Sequence, residues 1–181
     1  MEIGKILKFV VLGCGALGLV AFFMPLIHVK KANAKVSAWQ VVKGLDKVSK
    51  ASKEAAAMMD KAASTPIKNE KLDEMRNKAK DISKGSDTAK FIFYIPFFPA
   101  AMFVLIGVIA VIGRFGRGSA VATILMGLVG IGIWALIRAA AKDVGVEDAL
   151  GSAITMLAVC YFGATTAGIV GLFKPEPKAF S

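Results

Sequence analysis

A chain of 181 residues that is 56% hydrophobic, with a mean hydropathy of +0.63, holds more apolar material than the roughly 45–50% that one soluble core of this size requires. Two cysteines and one histidine exclude a disulfide framework and any Cys/His metal spacing. The net charge of +10, once tied to a membrane, points toward anionic lipid or an acidic protein partner and away from nucleic acid.

Four stretches carry no Asp, Glu, Lys or Arg: Phe9–Ile27, Phe91–Gly113, Gly118–Ile137 and Ala149–Phe173. At ~1.5 Å per residue, about 20 apolar residues cross a hydrocarbon core ~30 Å thick. The expected fold is therefore an all-α integral membrane protein: a four-transmembrane-helix bundle with a helical extramembrane hairpin between helices 1 and 2. The expected boundaries are 6–28, 91–113, 118–138 and 149–173 for the spans, 29–90 for a lysine-rich hairpin domain, and 174–181 for a short tail.

The first span follows Lys5 and Lys8, as a secretory signal would, and Val11-Leu12-Gly13-Cys14 resembles a lipoprotein cleavage box. The apolar run continues well past Cys14, so an uncleaved helix is expected. His28 closes this span four residues after Met24, a spacing that would allow His/Met ligation of haem. With no second histidine and no Cys-x-x-Cys-His run, a side chain satisfied by water is expected instead, and no cofactor.

Residues 29–90 hold 15 Lys/Arg against 8 Asp/Glu. Ser37-Ala38-Trp39-Gln40 has capping-box spacing. Behind it, Val42, Leu45, Val48, Ala55, Met59 and Ala62 recur near helical spacing, with Lys43, Lys47, Lys50 and Lys53 among them as a basic face. Thr65-Pro66 breaks the pattern. A second helix follows on Leu72, Met75, Ala79 and Ile82, with Gly85 placed to end it. Both stripes are rich in Ala and Met and bury little area, so the pair needs something to dock on: a membrane surface, a second copy or a partner.

Span two opens on Phe91-Ile92-Phe93-Tyr94-Ile95-Pro96-Phe97-Phe98-Pro99. Aromatics favour the membrane–water boundary, and proline at a helix start costs no hydrogen bond. Phe91, Phe93, Tyr94, Phe97 and Phe98, with Trp134 of span three, are the expected interfacial aromatics. A flat surface for a lipid tail, a pigment or a neighbouring helix is the functional alternative.

Lipid gives helices no hydrophobic reason to associate, so packing relies on small residues that let backbones approach. Cys14 and Gly18, Ser119, Thr123 and Gly127, and Gly163, Ala167 and Gly171 supply such faces on spans one, three and four. They specify a bundle, or a bundle with oligomer contacts.

Ionisable groups inside spans normally mark ion pathways, relays or catalytic centres. These spans have none, which argues against a proton-coupled transporter or a membrane hydrolase. The run Gly113-Arg114-Phe115-Gly116-Arg117-Gly118 lacks the strand and the Lys-Ser/Thr ending of a nucleotide loop. No catalytic, cofactor or metal residue is expected. Between spans three and four, Asp143, Glu147 and Asp148 would emerge on the side of the lysine-rich domain and are expected to hold its base.

Both termini lie on one side, with Lys5, Lys8, Arg114, Arg117, Lys174 and Lys178. By the positive-inside rule that side is the cytoplasm, and the large loop is periplasmic or extracellular, in a plasma (bacterial inner) membrane. The order of parts, and Phe22-Phe23-Met24-Pro25-Leu26 followed by Trp39 and Gly44-Leu45, resembles claudin-like tetraspan proteins and small bacterial four-span membrane proteins. The paired loop cysteines of claudins are missing, so the resemblance implies a topology and no pore, junction or receptor activity. The resulting expectation is a non-catalytic accessory or scaffold subunit that packs with other membrane subunits or with itself and presents its basic hairpin to an acidic partner or lipid surface. The alternative is a small oligomeric channel or transporter, with the Gly/Thr-rich spans three and four lining a polar path.

Overall fold

The computed structural model describes residues 3–29, 34–63 and 70–176. Among the described residues, four helical stretches each contain a segment long and apolar enough to cross a bilayer: Ile3–Phe23, Asp73–Ile112, Arg117–Asp143 and Ser152–Phe173. By length and hydropathy this is a multi-pass membrane protein. The chain divides into two compact units, residues 1–38 with 96–181, and residues 39–95.

The first unit holds the helices α1 (Ile3–Val20), α4 (Phe98–Ile112), α5 (Arg117–Asp143) and α6 (Ser152–Phe173). α1 packs on α4 and α6, and α5 packs on α6 and α4. The last helix is the hub: half of its apolar window is covered by the rest of the protein, against 22% for α5. The core gathers Leu7 and Val11 of α1, Phe103 and Ala110 of α4, Ala120 of α5, and Leu157, Tyr161 and Ala164 of α6.

The first span is shorter than expected. α1 gives way to a 3-10 turn at Ala21–Phe23, and the chain then becomes a strand, β1 (Pro25–Val29), paired antiparallel with β2 (Ala34–Ser37). Pro25 is the cause. It disfavours helical backbone in the residue before it, and Met24 sits extended at φ −77°, ψ 160°. Ile27 and Val29 then suit a pleated ribbon. His28, expected at the end of a helix, lies opposite Lys35 on this ribbon. Ile27 also bridges Leu150, and the Gly151 amide donates to the Leu26 carbonyl at 2.7 Å. The ribbon is thereby fastened to the α5–α6 connection.

The second apolar run is divided rather than continuous. Its first residues belong to α3 (Glu70–Tyr94), a 3-10 turn covers Ile95–Phe97, and α4 starts at Phe98 with Pro99 in its first turn. Gly85 lies inside α3 and does not end it. Expected span three ended at residue 138, but α5 continues to Asp143. It closes on Gly145 at φ +71°, with the Val146 amide reaching back to Ala141 at 2.8 Å. Glycine accepts this left-handed conformation without a Cβ penalty. A 3-10 turn at Glu147–Ala149 precedes α6, which begins at Ser152 rather than at 149.

The second unit contains α2 (Ala38–Ala63), apart from its first residue, and the whole of α3. Ser37 directly precedes α2. The expected break at Thr65-Pro66 lies outside the described residues.

Candidate functional site

The small-residue faces are spent inside the bundle. A Cβ on Gly18 would meet the Ala100 side chain at 2.6 Å, and one on Gly15 would meet the Val104 amide nitrogen at 2.6 Å, so α1 and α4 are in near backbone contact. Between α5 and α6, Gly127 leaves room for Thr165, and Gly130 lies flat against the Tyr161 ring, where a Cβ would come within 2.7 Å. Gly171 accommodates the ring of Phe115. Thr123 and Ala167 are buried, while Ser119 is half-buried and accepts the Thr123 hydroxyl on its carbonyl at 2.8 Å. Cys14 and Gly163 are half-buried, with the Cys14 sulfur 3.2 Å from where a Gly163 Cβ would stand.

Among the described residues, the buried Thr123 and Thr165 hydroxyls bond within their own helices, Thr123 to the Ser119 carbonyl and Thr165 to the Tyr161 carbonyl at 2.7 Å. Such back-bonding hides the polar group from hydrocarbon and leaves the methyl to pack.

The aromatics expected at the boundary divide. Phe91, Tyr94 and Phe98 are exposed, while Phe93 and Trp134 are half-buried. Phe97 turns inward, 5% exposed, and meets Phe22 edge-to-face at 5.0 Å. It is a core residue, because the 3-10 turn rotates it away from the face that holds Phe98.

Tyr161 is the residue that sequence reasoning passed over. Its hydroxyl donates to the Pro96 carbonyl, and its ring lies edge-on to Phe103 at 6.3 Å. The signal was present: in a 3-10 register the Pro96 carbonyl faces the nitrogen of Pro99, which has no hydrogen to give.

In the second unit α2 and α3 run antiparallel and are joined through side chains. Asp87 accepts from Ser49 at 2.9 Å and Lys53 at 2.9 Å and pairs with Lys90 at 2.7 Å. Lys90 reaches Asp46 at 3.1 Å, and Arg76 pairs with Asp60. Gly44 and Gly85 would each accept a Cβ with nothing within 4 Å, so the helices do not meet backbone to backbone at either glycine. Hydrogen bonds from Lys90, Lys53 and Ser49 hold the Asp87 carboxyl well below the usual range, and those from Lys90 and Lys50 lower Asp46. Asp87 and then Asp46 raise Lys90 in return. All four lysines of the expected basic face are exposed, and of these Lys50 pairs with Asp46 at 3.3 Å and Lys53 with Asp87.

At the two ends of the bundle lie ionic contacts that the sequence did not announce. Glu176 accepts from Lys8 at 3.1 Å and from the Phe115 amide at 2.9 Å, and its own amide donates to the Phe115 carbonyl at 3.1 Å. Both charged side chains are about nine-tenths buried. The clasp ties the first helix, the α4–α5 turn and the C-terminal segment together. At the other end Glu147, expected to brace the lysine-rich domain, pairs with Arg138 at 2.5 Å.

Among the described residues, no three His, Cys, Asp or Glu side chains gather to hold a metal, and Cys14 and Cys160 are free thiols. No family model, curated protein or solved structure matches the chain.

Proposed function

We propose that this multi-pass protein is a non-catalytic accessory or scaffold subunit, with α2 and α3 forming an extramembrane hairpin that presents excess lysine to an acidic protein surface or anionic lipid. The supporting observation is how the charges are distributed within the second unit. Asp46, Asp60 and Asp87 are occupied by cross-helix and neighbouring cations, while Lys43, Lys47, Lys80 and Lys84 are exposed. The ladder fixes the helix pair and leaves positive charge facing outward.

In this reading the termini are cytoplasmic and the hairpin lies on the opposite side of a plasma (bacterial inner) membrane, in the order of parts shared with claudin-like tetraspans. The internal use of the Gly/Thr faces of α5 and α6 favours a scaffold over a channel, since faces packed on each other do not line a path. Purification in mild detergent tests the proposal. A stoichiometric complex or homo-oligomer is expected, and reversing the charge of Lys43, Lys47, Lys80 and Lys84 together is expected to release the partner. A strictly monomeric particle at cellular abundance would overturn it.

A further inference from the structure

A recess of about 210 Å³ opens where α5 ends and α6 begins. Its walls are Trp134 and Arg138 of α5, Glu147 of the connecting turn, and Leu150, Ile154 and Thr155 around the start of α6. Arg138 is the first charged residue after the uncharged run 118–137, so the recess stands where hydrocarbon gives way to headgroups. Trp134 and Thr155 belong to that boundary too, as amphipathic side chains do.

The chemistry inside is of both signs. The Arg138 guanidinium lies 5.4 Å over the Trp134 ring and donates to Glu147 at 2.5 Å. Stacking and pairing hold it in place, yet a guanidinium has five N–H donors, so one bond to Glu147 leaves capacity for a second anion. Both side chains remain open to the recess, 47% and 41% exposed.

We infer that this recess binds the headgroup of an amine-bearing zwitterionic phospholipid, its phosphate on Arg138 and its ammonium on Glu147. The pairing of charges selects the lipid class. An anionic headgroup on the free donors of Arg138 would stand beside the Glu147 carboxylate with no cation of its own to offset the repulsion. A zwitterion sets its phosphate on those donors and its ammonium on Glu147, so each charge meets its opposite. A choline headgroup carries the same charges but has no N–H to donate to Glu147. Leu150 and Ile154 offer the apolar flank along which the glycerol and upper acyl chains descend.

The full chain, delipidated in mild detergent, is titrated with phosphatidylethanolamine, phosphatidylcholine or phosphatidylglycerol of identical acyl chains, and bound lipid is counted by native mass spectrometry. The expected result is one ethanolamine lipid per chain, held about tenfold more tightly than the other two, as one charge-assisted hydrogen bond would give. Glu147→Gln is expected to remove the preference over the glycerol lipid, and Arg138→Gln to lower binding of all three. Trp134 reports without altering the site: in a Trp39→Phe background its emission is expected to shift on adding the ethanolamine lipid and to stay unchanged with the glycerol one. Equal affinity for the three lipids, or a Trp134 signal indifferent to headgroup, would overturn the inference. Displacement of the bound lipid by millimolar inorganic phosphate would also overturn it, by making free phosphate the ligand.

Discussion

The hydroxyl of Tyr161, midway along α6, donates to the carbonyl of Pro96, in the 3-10 turn that precedes α4. Pro99 cannot supply the hydrogen that a 3-10 turn would direct at that carbonyl, so a side chain from elsewhere does. The helix break in the second apolar run is thus stabilised by a residue 65 positions away. Tyr161→Phe keeps the ring against Phe103 and Gly130 and removes only the donor. A loss of about 1–2 kcal/mol is expected, the cost of a part-buried carbonyl left unsatisfied, measured by denaturant unfolding in detergent. No change would mean that the carbonyl is served in another way.

Two glycines on α5 offer a contrast within one helix. Gly130 touches the Tyr161 ring, and a methyl there would force the ring or the helix to shift. Gly130→Ala is expected to destabilise the bundle by about 1–3 kcal/mol, as overpacking does. Gly132 faces open space, and Gly132→Ala is expected to be neutral or to stabilise by up to about 1 kcal/mol through helix propensity. Equal melting temperatures for the two variants would contradict the packing described.

The Glu176 clasp makes stability depend on pH in a defined direction. The Phe115 amide first, and then Lys8, hold this carboxyl below its ordinary value of 4.5. A group depressed in the folded state contributes above its unfolded pKa and loses that contribution as pH falls through the folded one. The wild type is therefore expected to lose melting temperature as pH drops below about 4.5, while Glu176→Gln starts lower and varies less over the same window. Parallel pH profiles for the two would remove the clasp from the account.

Asp87 is the acceptor at the centre of the α2–α3 ladder. Asp87→Asn is expected to accelerate amide exchange in α2 around Ser49 and in α3 around Lys90, and high salt is expected to do the same to the wild type. Asp81, exposed on α3, provides the control, and Asp81→Asn is expected to leave exchange as it was. Acceleration by both variants alike would assign the effect to net charge rather than to the ladder.

The four apolar runs were legible because uncharged length is a direct physical requirement of hydrocarbon. The small-residue faces were legible for a related reason, since close helix approach tolerates only Gly, Ala, Ser and Thr. Their destination was not: Gly18 and Gly171 meet Ala100 and Phe115 of the same chain, and spacing alone cannot separate that from contact with a neighbour. The pairing of β1 with β2 was hidden because Leu26, Ile27 and Val29 continue an apolar run that began as a helix, and only Pro25 marked the change. Gly85 was read as a stop because glycine commonly ends helices, but flanking residues of good propensity carried α3 through it. Arg138, Trp134 and Glu147 come together through the turn at Gly145, a juxtaposition that no linear spacing expresses.

Placing the hub of the bundle after the helices that it gathers has a consequence for biogenesis. During synthesis α1 and α4 can settle against each other, but α5 must wait in the bilayer with its glycine face toward lipid until α6 arrives. The Lys8 ammonium likewise gains its counter-charge only when residue 176 leaves the ribosome. An arrested chain ending before Ser152 should therefore remain open to cross-linkers and membrane proteases, and one extended past Glu176 closed to them.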